Sequence, residues 1–360
     1  MTNRLVATST SIQYLCYNGR IIDLLGEAFA IQSGTVFFHC YQGGGFSIKV
    51  PITGSGTIVP RWRGKDHSNG FFEMPMDNSG FTGKTRIICQ GQGNAPGVGD
   101  YTPFSSKCLT VRAYDQKNFG GPIASGATAP VYNALTIMDN QVLKAVKDAN
   151  NGGTVTFDEP SRGIYVPWRG RVAADSDVTL AIKQQVTYAG RIQKIGAGTL
   201  ALGGTAKFTS AALDTPYAGD VFLTGTNELE IAEGALKPLN TAAFAGVAVT
   251  FSNATKLVIS PSVDQGVAQY GLKVTAAGSS VSVPSGKVNL DLGVLTGGEQ
   301  QIAVATFAAE SDAAAFVAKL TPPQIKRLNV SLTVEPNAND GSLYTVYASI
   351  CPRGAVFFLK

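Results

Sequence analysis

Short runs of alternating apolar and polar residues, each closed by a glycine-rich cluster, recur along this chain and point to a β fold. Thr35-Val36-Phe37-Phe38, Gly45-Phe46-Ser47-Ile48-Lys49-Val50, Thr154-Val155-Thr156-Phe157, Val178-Thr179-Leu180-Ala181-Ile182 and Lys256-Leu257-Val258-Ile259 each read as a strand. Between such runs stand Gly-Gly, Asn-Gly, Gly-Ser-Gly and Asn-Asn-Gly-Gly clusters, which turn the chain at positive φ without a Cβ clash. The 41 glycines have no three-residue period, which excludes collagen. Helical spacing is scarce. Val142, Ala145, Val146 and Ala149 suggest one helix within Asp139 to Ala149, next to the loop signal Asn150-Asn151-Gly152-Gly153. A clearer one runs from Ala313 to Leu320, with Ser311 as its cap and Thr321-Pro322-Pro323 as its stop.

Charge narrows the function classes. The 29 Lys and Arg residues against 25 Asp and Glu leave +4 over 360 residues, too thin for the basic stripe that binds nucleic acid. The longest apolar stretches, such as Ala313 to Ala318, fall short of a transmembrane helix, and the opening MTNRLVATSTSIQY shows no secretion signal. Gly43-Gly44-Gly45 and Gly91-Gln92-Gly93 are turns rather than phosphate loops, because no Gly-Lys-Ser/Thr follows them. No cofactor is expected. His39 and His67 are the only histidines, so a zinc site or an activated nucleophile lacks partners, and both read as structural.

Internal repetition says more. Gly54-Ser55-Gly56-Thr57-Ile58 recurs as Gly196-Ala197-Gly198-Thr199-Leu200-Ala201-Leu202, each time turning the chain into a strand. A second element follows each copy: Asn78-Ser79-Gly80-Phe81-Thr82-Gly83-Lys84-Thr85-Arg86-Ile87-Ile88 after the first, Tyr217-Ala218-Gly219-Asp220-Val221-Phe222-Leu223 after the second. The physical reading is a stacked coil in which each turn cannot bury its apolar row alone and is completed by its neighbours. At these residues the sequence resembles the autotransporter-associated β-strand repeat of bacterial surface proteins. That unit runs Gly-x-Gly-x-Leu-x-Leu, then Asn-x-Tyr/Phe-x-Gly-x-Thr, then an aliphatic strand. Gly54, Gly56, Gly196, Gly198, Asn78, Phe81 and Gly83 are the residues that define it here. The resemblance implies a right-handed parallel β-helix, extracellular or displayed on a cell surface, and no particular chemistry. Residues 1–265 are expected to form the coil, and residues 266–360 a β-rich cap with one short helix. A membrane barrel does not fit in that remainder.

The functional reading that follows is a non-enzymatic scaffold, adhesin-like, contacting polysaccharide or the surface of a host or neighbouring cell. Two look-alike basic aromatic patches are the candidate glycan contacts: Arg61, Trp62 and Arg63, and Trp168, Arg169 and Arg171. A tryptophan lying over the coil with arginines reaching into water accounts for them too, and is the reading to set first. The alternative is a polysaccharide lyase or glycoside hydrolase on the same fold, for which Asp158, Arg162, Arg169, Arg171, Asp175 and Asp177 are the first residues to consider. Asp175 and Asp177 would share a face if extended, and are also weak calcium candidates or a solvated turn. A viral or phage spike is a third class, and trimer formation would favour it. Cys16 and Cys40 lie 24 apart, Cys89 and Cys108 lie 19 apart. If a turn takes roughly 20 to 25 residues, each pair stacks on successive turns, either as disulfides or as buried thiols.

Overall fold

The computed structural model describes residues 4–7, 11–16, 20–40, 43–62, 70–89, 108–123, 130–138, 141–167, 169–208, 227–260, 271–293 and 301–352. The alternating runs form strands, three to a turn, and the turns stack into a parallel β-helix. Strands Arg4–Ala7, Ser11–Cys16 and Ile21–Leu24 make the first turn, and Ala28–Ile31, Thr35–Cys40 and Gly45–Ile48 lie beside them in parallel register. Ser11 pairs with Thr35, a turn of 24 residues, and Thr179 pairs with Thr199, a turn of 20. One face of the coil is an eight-stranded sheet and the next a ten-stranded sheet. The third face is divided into a three-stranded and a seven-stranded sheet. No sheet among the described residues closes into a barrel.

Stacking explains why the inward residues are apolar. Each residue stands against its counterpart one turn away, so like meets like. Val155, Leu180, Leu200, Leu236, Leu257 and Leu290 form one such ladder and are all buried. Complete burial of side chains of this size contributes about 1.5–3 kcal/mol each. Near the N-terminal end aromatic rings fill the interior, with Phe38 5.2 Å from each of Tyr14, Phe46 and Phe72.

Between the two sheets of the third face the strand ladder is interrupted, and side chains take over the backbone's hydrogen bonds. Buried Asn78 accepts from the Ile52 amide at 2.7 Å and donates to the Asn118 carbonyl at 2.8 Å, linking three turns. Gln184 donates to Gln116 at 2.6 Å in the same interior. Every buried polar backbone group needs such a partner, and here the sequence supplies amides where strands are absent.

The two Gly-x-Gly-Thr copies hold different places in the coil. Gly54-Ser55-Gly56 leads into Thr57–Trp62 of the eight-stranded sheet, whereas Gly196-Ala197-Gly198 leads into Thr199–Leu202 of the seven-stranded one. They are therefore not equivalent positions one repeat apart. What they share is a corner, where the chain crosses the backbone of the turn before it. A Cβ on Gly198 would lie 2.0 Å from the Asp175 carbonyl oxygen. Phe81 and Gly83 stand at the same corner as Gly54 and Gly56, with Phe81 bridged to Gly54.

Three further expectations are corrected. Val142–Ala145 is a strand, not helix, because it is paired on both sides, with Leu109–Ala113 and Arg169–Ala174. The C-terminal helix is Glu310–Val317, with Ala309 at its cap position and no side-chain cap bond, so Ser311 lies inside the first turn. The coil also passes the expected boundary at 265/266: Ser280–Ser282 and Val288–Asp291 pair with coil strands, and Leu320–Thr321 with the latter. Only then does the chain turn antiparallel, in the hairpin Leu328–Asn337 and Asp340–Pro352 beside Gln301–Phe307. The helix closes this end, with Phe316 against Phe307 at 5.6 Å. At the other end the three first-turn strands are paired on one side only among the described residues.

Candidate functional site

The ten-stranded sheet presents rows of polar residues outward. Its strands alternate, with Ile192, Leu229 and Val249 buried and their neighbours facing away from the core. One row runs Asp23, Ser47, Glu73, Arg112, Lys144 on successive strands. A second runs Arg171, Gln193, Glu230, Thr250, Ser282, and a third Arg169, Arg191, Glu228, Ala248, Ser280. These rows follow the coil axis at strand spacing, about 4.8 Å per rung.

Two clusters organise the face. Glu73 receives the Ser47 hydroxyl at 2.8 Å, the Tyr114 hydroxyl at 2.7 Å and the Arg112 guanidinium at 3.3 Å. Arg112 also lies 4.5 Å from the centre of the Phe71 ring. Burial, then the hydrogen bond to Glu73, pushes the Tyr114 phenol up to about 12. Further along, Arg191 pairs with Glu228 and reaches Glu230 at 3.8 Å, while Gln193 donates to Glu230 at 3.1 Å. The hydroxyls of Thr250 and Ser282 are 3.0 Å apart. Each ion pair among the described residues joins one turn to the next, which makes the charges brackets between turns as well as surface groups.

The sequence candidates are not gathered into one place. Arg61 lies on the eight-stranded sheet, buried, with its guanidinium 5.4 Å from the centre of the Phe37 ring. Trp62 ends the same strand, on the rung between Cys40 and Cys89. Arg63 and Trp168 fall outside the described residues, as does His67. Arg169 and Arg171 belong to the ten-stranded sheet. Arg171 is buried rather than reaching into water, and burial lowers its pKa against the opposing influence of the nearby Cys108 thiol. The described arginines of the two basic aromatic motifs thus lie on separate faces, Arg61 on the eight-stranded sheet and Arg169 and Arg171 on the ten-stranded one.

The carboxylate candidates separate too. Asp175 pairs with Lys144 at 2.9 Å and Asp177 with Lys147 at 2.8 Å, each on an exposed corner. The hydrogen bond from Lys147 holds the Asp177 carboxyl below its ordinary range. No cluster of three metal-ligating side chains occurs among the described residues. Arg162 is buried and donates to the carbonyls of Gly83 and Phe119 at 2.8 Å and Gly121 at 3.1 Å. Desolvation takes its pKa down to about 10. Its work is to bind turns together, not to meet a substrate.

Residues missed by the sequence reading are Glu73, Arg191, Gln193, Glu228 and Glu230. The alternation Arg191-x-Gln193 and Glu228-x-Glu230 was visible, but 37 residues separate the partners and only stacking joins them. No family model matches this chain, and comparison with curated proteins and with solved structures gives no match.

Proposed function

We propose that this chain is a β-helical scaffold, extracellular or displayed on a cell surface, that contacts glycans through its ten-stranded face and does not transform them. The polar rows on that face are the observation that carries this reading. Their rungs repeat at about 4.8 Å, so an extended polysaccharide lying along the coil axis meets polar side chains at successive rungs, apart from those held by the buried Ser47 and Arg171 and by Ala248. A lyase or hydrolase needs an acid and a base free to exchange protons with the substrate. On this face Glu73, Glu228 and Glu230 are instead occupied by Arg112, Arg191, Gln193 and Tyr114. Export beyond the cytoplasm is supported by the resemblance of Gly54 to Gly83 and Gly196 to Leu202 to bacterial surface repeats.

The test is co-sedimentation with neutral and acidic polysaccharides, with new reducing ends and unsaturated-uronate absorbance followed in parallel. Binding without turnover is expected. Arg191→Gln should weaken it about tenfold, the loss of about 1.4 kcal/mol of charge-assisted contact. Turnover would overturn the scaffold reading, and absence of binding to every polysaccharide would overturn glycan contact.

A further inference from the structure

Cys16 and Cys40 occupy directly paired positions on neighbouring parallel strands of the first and second turns. Both belong to the inward row and are almost fully buried, at 1% and 0% exposure. Both are free thiols, the Cys16 Sγ donating to the Arg20 carbonyl at 2.9 Å and the Cys40 Sγ directed at the Phe71 carbonyl at 3.5 Å. Strand neighbours of this kind lie about 4.8 Å apart, within the roughly 4.4–6.8 Å between Cα atoms that a disulfide spans. Cys40 has no second partner on this row. The rung beyond it is Trp62, and Cys89 follows only after that. Two rungs make about 9.6 Å, beyond the reach of about 7 Å.

The other cysteines are placed differently. Cys89 ends Lys84–Cys89 of the eight-stranded sheet, whereas Cys108 immediately precedes Leu109–Ala113 of the ten-stranded one. They do not stack on successive turns, contrary to what their spacing suggested. The local turn is long, with Thr85 pairing Leu135, so a spacing of 19 residues falls well short of one turn.

The first turn is also where a covalent tie would matter most. Among the described residues its three strands are paired on one side only, and Leu15, Ile21 and Leu25 on it are exposed. A terminal turn of a stacked coil has half the neighbour contacts of an internal one. We propose that Cys16 and Cys40 are a disulfide site, oxidised by a disulfide-bearing oxidant, which ties the open first turn to the second.

The reaction balances by thiol–disulfide exchange. The Cys16 thiolate attacks one sulfur of the oxidant's disulfide and expels the other as a thiol. The Cys40 thiol then gives up its proton and displaces the remaining oxidant sulfur from Cys16 as a second thiol. Two protons and two electrons pass from the chain to the oxidant.

The test is peptide mapping of the full chain after incubation with oxidised glutathione, blocked by alkylation in denaturant without reductant. The expected product is one linkage between the peptides carrying Cys16 and Cys40, lighter by two hydrogens, and a urea midpoint higher than that of the reduced protein. Cys40→Ser should show neither the linkage nor the shift. Alkylation of all five cysteines after oxidation, or linkages confined to Cys89, Cys108 or Cys351, would overturn the proposal. Glycan binding does not enter this readout, so the two ideas stand or fall separately.

Discussion

Arg162 and Lys194 show what a charged residue becomes when the coil closes over it. Lys194 faces inward and is fully buried, with its Nζ donating to the carbonyls of Ile195, Gly196 and Glu233 at 3.0, 2.5 and 3.2 Å. Desolvation brings its pKa from 10.5 to about 8, against the attraction of Glu233. Between these two values the unfolded chain keeps a proton that the folded chain has released. Stability contributed by this residue therefore rises with pH across that window, by up to about 1.4 kcal/mol per pH unit, and is flat below it. Urea midpoints measured from pH 7 to 10 should rise more steeply for the wild type than for Lys194→Met. Parallel curves would sink the assignment. Neither role was legible in the sequence, where Arg162 stood among the candidate substrate contacts and Lys194 drew no notice. A strand's alternation says which residues share a face, and not what the next turn places against them.

Glycine corners were legible as turns, but their positions in the coil were not. Three corners per turn present one problem: the backbone must pass close over the turn beneath. Gly-x-Gly-Thr solves it at any of them, so a recurring motif need not mean a recurring position. Gly83 is a tight instance that joins two neighbouring strands, since its Cβ would lie 1.9 Å from the Gly56 carbonyl oxygen. Gly83→Ala must separate Lys84–Cys89 from Thr57–Trp62 at their shared start, and should cost about 2–3 kcal/mol. Gly341→Ala meets nothing within 4 Å and serves as the control, expected within about 0.5 kcal/mol of the wild type. Equal losses in denaturant unfolding would show that backbone entropy, not the crossing, sets the cost.

Over the whole molecule the two ends differ in kind. At one end the helix Glu310–Val317 and an antiparallel hairpin close the coil, and at the other the first-turn strands have one edge without a strand partner among the described residues. A quasi-one-dimensional stack opens from its weakest terminus. In reduced protein, amides of Ser11–Cys16 should exchange with deuterium well before those of Thr35–Cys40, whose strand is paired on both sides. Mass-resolved exchange on peptic fragments would show it. Simultaneous exchange of both strands would mean that the first two turns open as one unit.

The sequence by itself determined the class of fold. Apolar alternation and recurring glycine corners point to a stack, because no single turn can cover its own apolar row. It offered Cys16 with Cys40 and Cys89 with Cys108 as stacked pairs on the same spacing argument, and only the structure separated the first, which is paired, from the second, which is not. Tertiary structure alone decided which residues share an outward row, since Arg191 and Glu228 meet across 37 residues whose path no local pattern records. It likewise decided that Arg61 and Arg169 lie on different faces despite their similar surroundings in the chain. Local alternation fixes inward against outward, but turns of unequal length set the register between them, and register is what assembles a site.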